Sequence, residues 1–314
     1  MIRNRTPFSL SHVLTRKDIH ILDTLAKRYF DFYRRYFSLN ENNWFRYTRV
    51  YPAVDAALRN LSHPVFGTLL RHLFLFEGKG RYSQSHIVPI HQDLNYVSGG
   101  KNVVMPIELV HKVIEDASYR ILMNRCICRD GFGCTHFPRD LGCIMLGEAC
   151  RHMVARGIAR YATVEECQSQ LRRGAELGLV AICAWAEFET IAKGIPEGQH
   201  RNYFEICLCC PCCCLGMRNF KKILQNDHMR NVFRSIGWQA QGAEGCVGCG
   251  RCAEACPMDA IAVESKTISV SGSCIGCGLC AANCPKQAIV MQEIVPMKEH
   301  ILDYFWGFRP QIRG

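Results

Sequence analysis

Residues 246–257 read CVGCGRCAEACP, and residues 274–285 read CIGCGLCAANCP. The second run is the first displaced by 28 residues, and the likeness continues into MDAIAV (258–263) and KQAIVM (286–291). Self-similarity at a fixed offset is an internal repeat. Within each copy the spacing is C-x-x-C-x-x-C-x-x-x-C-P. Three cysteines at such intervals on a tight loop can reach three corners of one cubane. The fourth, at the start of the next turn, faces away and reaches the cubane of the other half. Pro257 and Pro285 end each run with a fixed backbone angle and no donor. Gly248, Gly250, Gly276 and Gly278 allow backbone N–H groups to approach sulfur. Between the copies, AIAVESKTISVSG (260–272) alternates apolar and polar residues and predicts a β-hairpin. A pair of zinc ribbons is the alternative, but zinc pairs need neither a third cysteine nor the proline at this spacing.

These motifs resemble bacterial-type ferredoxins carrying two [4Fe–4S] clusters, over residues 240–292. The resemblance implies that Cys246, Cys249, Cys252 and Cys284 hold one cluster, and that Cys274, Cys277, Cys280 and Cys256 hold the other. Such clusters move one electron at a time, at potentials that follow burial, net charge and hydrogen bonds to sulfur. Residues 246–290 balance three basic against three acidic side chains, whereas free ferredoxins are commonly acidic. The neutrality suggests a module that serves a partner within its own chain or complex.

The remaining chain reinforces the metal reading. Its 21 cysteines are an odd number in a chain of 314 residues, too long to need disulfide staples. In a reducing compartment they are expected to serve as thiolates. With 48% hydrophobic and 21% charged residues the composition is globular. The most apolar run, VFGTLLRHLFLF (65–76), is short and carries Arg71 and His72. The N-terminal MIRNRTPFSLSHVL shows no secretion signal, so a cytoplasmic protein is expected.

Thirteen cysteines lie upstream of the repeat. RCICRDGFGCTHFPRDLGC (125–143) contains Cys126, Cys128, Cys134 and Cys143, and CLCCPCCC (207–214) contains Cys207, Cys209, Cys210, Cys212, Cys213 and Cys214. No apolar core needs so many thiols, and Pro211 excludes a helix in the second run. These ten are the candidate ligands of one or two further iron–sulfur clusters, with a zinc site as the alternative. Cys126 and Cys128 are expected on an extended segment, pointing the same way. Cys150, Cys167 and Cys183 read as small core residues. Arg129, His136, Arg139 and Asp140 stand among the candidate ligands, placed to tune potential or move protons; Arg139 and Asp140 read equally well as a surface pair. Helices are predicted in the segment before Cys126 (Ile107, Val110, Ile114, Ala117 and Ile121 at helical spacing), over CIMLGEACRHMVARG (143–157), and after the capping box Thr163–Glu166. From residue 85 onward the combination resembles a poorly characterised family of cysteine-rich iron–sulfur proteins of anaerobes. That resemblance implies a cofactor type and no specific reaction.

The formal charge is +10, and residues 1–125 hold 18 Lys/Arg against 10 Asp/Glu. Here KDIHILDTLAKRYFDFYRRYF (17–37) predicts an amphipathic helix with Thr15 as N-cap. It reads either as a helix packed on the cysteine domain or as one lying on a membrane surface. No nucleic-acid module, phosphate loop or dinucleotide fingerprint is present.

The expected fold is α+β: a basic, aromatic helical segment at 1–84, a mostly helical cysteine-rich iron–sulfur domain at 85–240, a ferredoxin-like two-cluster domain at 241–295 and a tail at 296–314. The expected function is electron transfer between a redox protein partner and the upstream cysteine site. Its rivals are a reductase with a catalytic upstream cluster, whose substrate the sequence does not indicate, and a membrane-associated redox subunit.

Overall fold

The α+β class holds, but strands as well as helices carry the cysteine-rich region. The computed structural model describes residues 31–60, 83–98, 105–224, 233–305 and 309–313, with Thr24, Arg28, His63 and Gly67 as isolated positions. In chain order the strands are β1 (Ser83–Val88), β2 (Tyr96–Val97), β3 (Arg120–Met123), β4 (Ile144–Leu146), β5 (Ala159–Tyr161), β6 (Val180–Ala186), β7 (Phe204–Cys209), β8 (Phe233–Ser235), β9 (Trp238–Gly242), β10 (Ile261–Glu264), β11 (Thr267–Val270) and β12 (Ile289–Glu293). Seven of them form one sheet in the order β5-β3-β4-β7-β6-β1-β8. Every pairing in it is antiparallel except β1 with β8. The mostly helical domain is therefore corrected to a sheet with helices packed on it.

The physical reason lies in short apolar runs. Residues 144–146 and 180–185 are too brief for periodicity to separate a buried strand from a buried helix. The segment read as one helix over 143–157 is divided at Gly147, whose φ of 98° turns β4 into the short helices Glu148–Cys150 and Arg151–Ala155. The helix Pro106–Asp116 stops where Ala117 becomes extended, and Ile121 belongs to β3. The capping box is present: the Glu166 amide donates to Thr163 Oγ1 at 3.2 Å, and the Thr163 amide donates to the Glu166 carboxylate at 2.8 Å. It starts the helix Val164–Glu176, whose Gly174 allows close approach to Leu208 on β7.

The repeat forms its own small sheets and interlocks with the larger one. β9 and β12 pair antiparallel, β10 and β11 form the predicted hairpin, and β2 adds in parallel to β12. The expected boundary at 240/241 thus runs through β9. The tail returns to the first unit: Ser118 N–H donates to the Ile312 carbonyl at 2.7 Å, and buried Phe305 packs edge-on against Phe204 of β7.

Residues 38–60 brace the thiol-bearing segments. Trp44 Nε1 donates to Asp130 at 2.7 Å, and Asp55 accepts from Asn219 Nδ2 at 2.9 Å and pairs with Arg218 at 3.2 Å. Residues 31–36 are helical with Phe32 and Tyr36 exposed, while Thr15 and most of the predicted basic helix lie outside the described residues. Among the described residues no helix is long and apolar enough to cross a membrane.

Gly248 and Gly276 occupy equivalent positions of the repeat with φ of 76° and 65°. A Cβ at Gly248 meets only the Lys266 side chain at 3.7 Å, whereas one at Gly276 meets the Trp238 carbonyl oxygen at 2.2 Å. Gly248→Ala should therefore lose only the left-handed backbone term, about 1–2 kcal/mol. Gly276→Ala should lose about 1–3 kcal/mol more, from the added clash. Thermal unfolding of both variants, purified without oxygen, checks the difference; equal losses would contradict the packed arrangement.

Candidate metal centres

The repeat imposes near-identical local geometry on its two halves. The Gly248 and Gly276 amides donate to Cys246 and Cys274 sulfur at 3.4 and 3.5 Å. The Ala260 and Ala288 amides donate to Cys256 and Cys284 sulfur at 3.3 and 3.2 Å. Gly250 and Gly278, both left-handed, start the one-turn helices Arg251–Glu254 and Leu279–Ala282 that carry Cys252 and Cys280. Cys256, Cys274, Cys277 and Cys280 line an indentation of about 300 Å³. Burial raises Cys277 and Cys280, with Cys256 and Cys274 among the charges that add to it. Burial likewise raises Cys252, and there the charges that add to it are Cys284 and Cys246. Cys256 thus lies with Cys274, Cys277 and Cys280, and Cys284 acts on Cys252 together with Cys246. The two groups differ in exposure: Cys277 and Cys280 are buried, whereas Cys249 and its neighbour Val247 are exposed. A thiol-lined hollow with amides aimed at sulfur fits a [4Fe–4S] group.

The ten upstream thiols come together from two segments and fall into two groups. Along β7, Glu205, Cys207 and Cys209 face one side of the sheet while Ile206 and Leu208 face the other. Cys207 and Cys209 join Cys126, Cys128, Cys143 and Cys214 around a chamber, lined also by Met123 of β3, Met145 of β4 and, at its border with the second group, Cys210. Cys143 and Cys207 sulfurs lie 3.2 Å apart. The strand geometry expected for Cys126 and Cys128 is corrected here. Cys126 is the extended N-cap of the helix Ile127–Gly131, and Cys128 already lies inside that helix. Cys134, Cys210, Cys212 and Cys213 form the second group, their sulfurs all within 4.8 Å of one another. Cys150, Cys167 and Cys183 are fully buried core residues.

Crowding divides the chamber's protons. Cys207 and Cys214 are held well below the ordinary thiol range, chiefly by hydrogen bonds from Cys143 and Cys128 respectively and, in both cases, from Cys209. Those donors, Cys128, Cys143 and Cys209, are pushed well above it by the same bonds and by burial. In the second group burial raises Cys134, but bonds from Cys213 and from the His136 and Phe137 amides outweigh it and hold that thiol low.

A buried cation stands beside Cys126, outside the chamber's lining. Arg129 is 1% exposed and donates Nη2 to the Leu141 carbonyl. Its Nε and Nη1 are buried without a hydrogen-bond partner. Burial lowers its pKa, but the charge of Cys126, then Cys143 and Cys210, more than restores it. Unused guanidinium donors among thiols suit an anionic, thiolate-held group. His136 is exposed, and Arg139 donates Nε to the Cys134 carbonyl at 2.8 Å while Asp140 is exposed.

Sequence reasoning missed a buried polar network beside the chamber. Lys193 Nζ donates to Glu205 at 2.6 Å, to Tyr203 Oη at 2.7 Å and pairs with Glu189 at 2.9 Å; Tyr203 donates to Glu205 at 2.5 Å. Burial, then repulsion from Cys207, pushes Glu205 upward. Burial pulls Lys193 down, but Glu189 and Glu205 outweigh it and hold the ammonium above its ordinary range. The available signal was Glu205 itself, a carboxylate inside the apolar strand FEICLC.

The ring of apolar and sulfur side chains between the two units forms one packed cluster. It joins Cys209, Cys214 and Met217 to Met258, Ile275 and Cys277, with Cys207, Cys256 and Cys274 packed at its margin. β6 supplies its floor through Val180, Ile182 and Ala184, which pair with Cys209, Cys207 and Glu205 of β7.

Lys193→Met should destabilise the protein by about 3–5 kcal/mol, because it leaves Glu205 buried without its cation. Lys193→Met with Glu205→Gln should recover part of that loss in thermal unfolding; an additive double variant would contradict the coupling. No curated protein and no solved structure matches the chain. Residues 242–291 match the family described as the 4Fe-4S dicluster domain, so the C-terminal repeat is an iron–sulfur, ferredoxin-type domain that binds [4Fe–4S] clusters.

Proposed function

We propose that the chain carries single electrons between a redox protein partner and an iron–sulfur centre in the six-thiol chamber, by way of the dicluster domain. Cys246, Cys249, Cys252 and Cys284 are assigned to the outer cluster, and Cys256, Cys274, Cys277 and Cys280 to the inner one. The upstream centre is assigned to ligands drawn from Cys126, Cys128, Cys143, Cys207, Cys209 and Cys214. Bound clusters of this kind supply one-electron exchange and no bond chemistry of their own. What the residues do is hold sulfur, exclude water and set charge.

The observation that carries the reading is the packed cluster joining Cys209 and Cys214 to Cys277. It leaves the chamber and the inner site separated by side chains rather than solvent. The exposure of Cys249 and Val247 supports an outer site open to a partner. Arg129, buried beside Cys126, supports thiolate there through its charge. A second reading, a reductase whose chamber centre acts on a small substrate, is favoured by the thiol count. Six sulfurs exceed the four that a cubane takes.

Protein purified without oxygen should contain about twelve iron and twelve sulfide in cubanes, four of each for each of three sites. Cys214→Ser should remove one set of reduced-state paramagnetic signals and about four iron, leaving the dicluster signals in place. A chain with iron and sulfide for the dicluster domain alone, unchanged by Cys214→Ser, would defeat the upstream assignment. A change in the chamber signal on adding a small reducible substrate would favour the second reading.

A further inference from the structure

The second thiol group differs from the others in scale. The sulfurs of Cys134, Cys210, Cys212 and Cys213 lie within 4.8 Å of one another, with Cys134 and Cys212 at 3.9 Å. Among the described residues this is the group of His, Cys, Asp or Glu side chains whose ligand atoms converge on the space of one metal ion. The difference is chemical. Four thiolates bound at about 2.3 Å to one tetrahedral ion stand about 3.8 Å from each other. A cubane places its iron and sulfide between its ligands and holds their sulfurs much farther apart.

We propose that Cys134, Cys210, Cys212 and Cys213 hold a single tetrahedral transition-metal ion, zinc or mononuclear iron, distinct from every cluster in the chain. Tetrahedral four-sulfur coordination belongs to these metals. The surroundings are built for thiolate. The Cys213 amide donates to Cys210 sulfur at 3.3 Å, closing a small turn around Pro211. Two guanidiniums flank the group: Arg139 donates to the Cys134 carbonyl at 2.8 Å, and Arg218 donates to the Cys212 carbonyl at 3.3 Å while lying over the Phe132 ring. They offset the negative charge that four thiolates leave on a divalent ion.

The position gives the ion a task. Cys210 follows Cys209 and Cys213 precedes Cys214, so each chamber thiol on this turn has a neighbour in the second group. Cys134 brings in the other segment, midway between Cys128 and Cys143. One ion thus staples the two segments that wall the chamber, whatever occupies the chamber itself.

The test is metal and sulfide counting on the full chain purified without oxygen, with zinc and iron both supplied during growth. The expected result is one zinc per chain, or one iron in excess of sulfide with the spectrum of mononuclear iron, beside iron and sulfide in equal amounts. Cys212 is the least buried of the four. Cys212→Ser should lose that one ion and keep the iron-to-sulfide balance, and Cys212→His, still a zinc-type ligand, should retain it. Cobalt supplied in place of zinc should give the visible spectrum of a tetrahedral thiolate site, absent in Cys212→Ser. Protein with neither zinc nor excess iron overturns the proposal. So does a Cys212→Ser variant that loses iron and sulfide together. If that variant does not fold, the count on the unaltered chain decides alone.

Discussion

Ten ionisable thiols gathered from two segments repel one another when charged and lose solvation when buried. That constraint governs the upstream half of the molecule. The structure meets it by sharing protons among sulfurs, as in Cys143 to Cys207, and by placing Arg129 with unused donors beside them. It also keeps Lys193 locked between Glu189 and Glu205 at the chamber wall. Together they favour negative sulfur at Cys207 and Cys214 and leave the donors Cys128, Cys143 and Cys209 neutral. Metal completes the same balance, since ligation both requires and stabilises the thiolate.

The second organising feature is the interlock between units. β2 enters the small sheet of the repeat, and the tail after β12 returns to pack on β7 through Phe305. Each unit therefore contributes a strand or a strap to the other. In such an arrangement the packed cluster containing Cys209, Met258 and Cys277 is a fixed part of the fold rather than a transient contact. A domain tethered by a flexible linker would expose that face. The interlock suits a module whose charge is balanced and whose inner site is turned toward its own chain.

Much of the repeat was legible in advance. Its offset of 28 residues, its glycines and its hairpin all appear as read, because each is a local feature of a short loop or turn. The chamber was less legible. The ten upstream cysteines could be nominated but not sorted, since sorting needs the two segments placed in three dimensions. The Thr163–Glu166 box was legible for the same local reason as the repeat. The sheet was missed because its strands are brief apolar runs, and the Lys193–Glu205 network because its members lie 12 residues apart.

By itself the amino-acid sequence determined the identity of the candidate cysteines, the twofold ferredoxin-type spacing and the placement of several turns. These depend on residue type and on separations of a few positions. Only the tertiary structure decided which sulfurs meet, that six surround a chamber while four draw close together, and that the inner half of the repeat packs against that chamber. Those relations join residues scores of positions apart, and a sheet's pairing order, which brings them together, is set by burial of whole faces rather than by any local pattern.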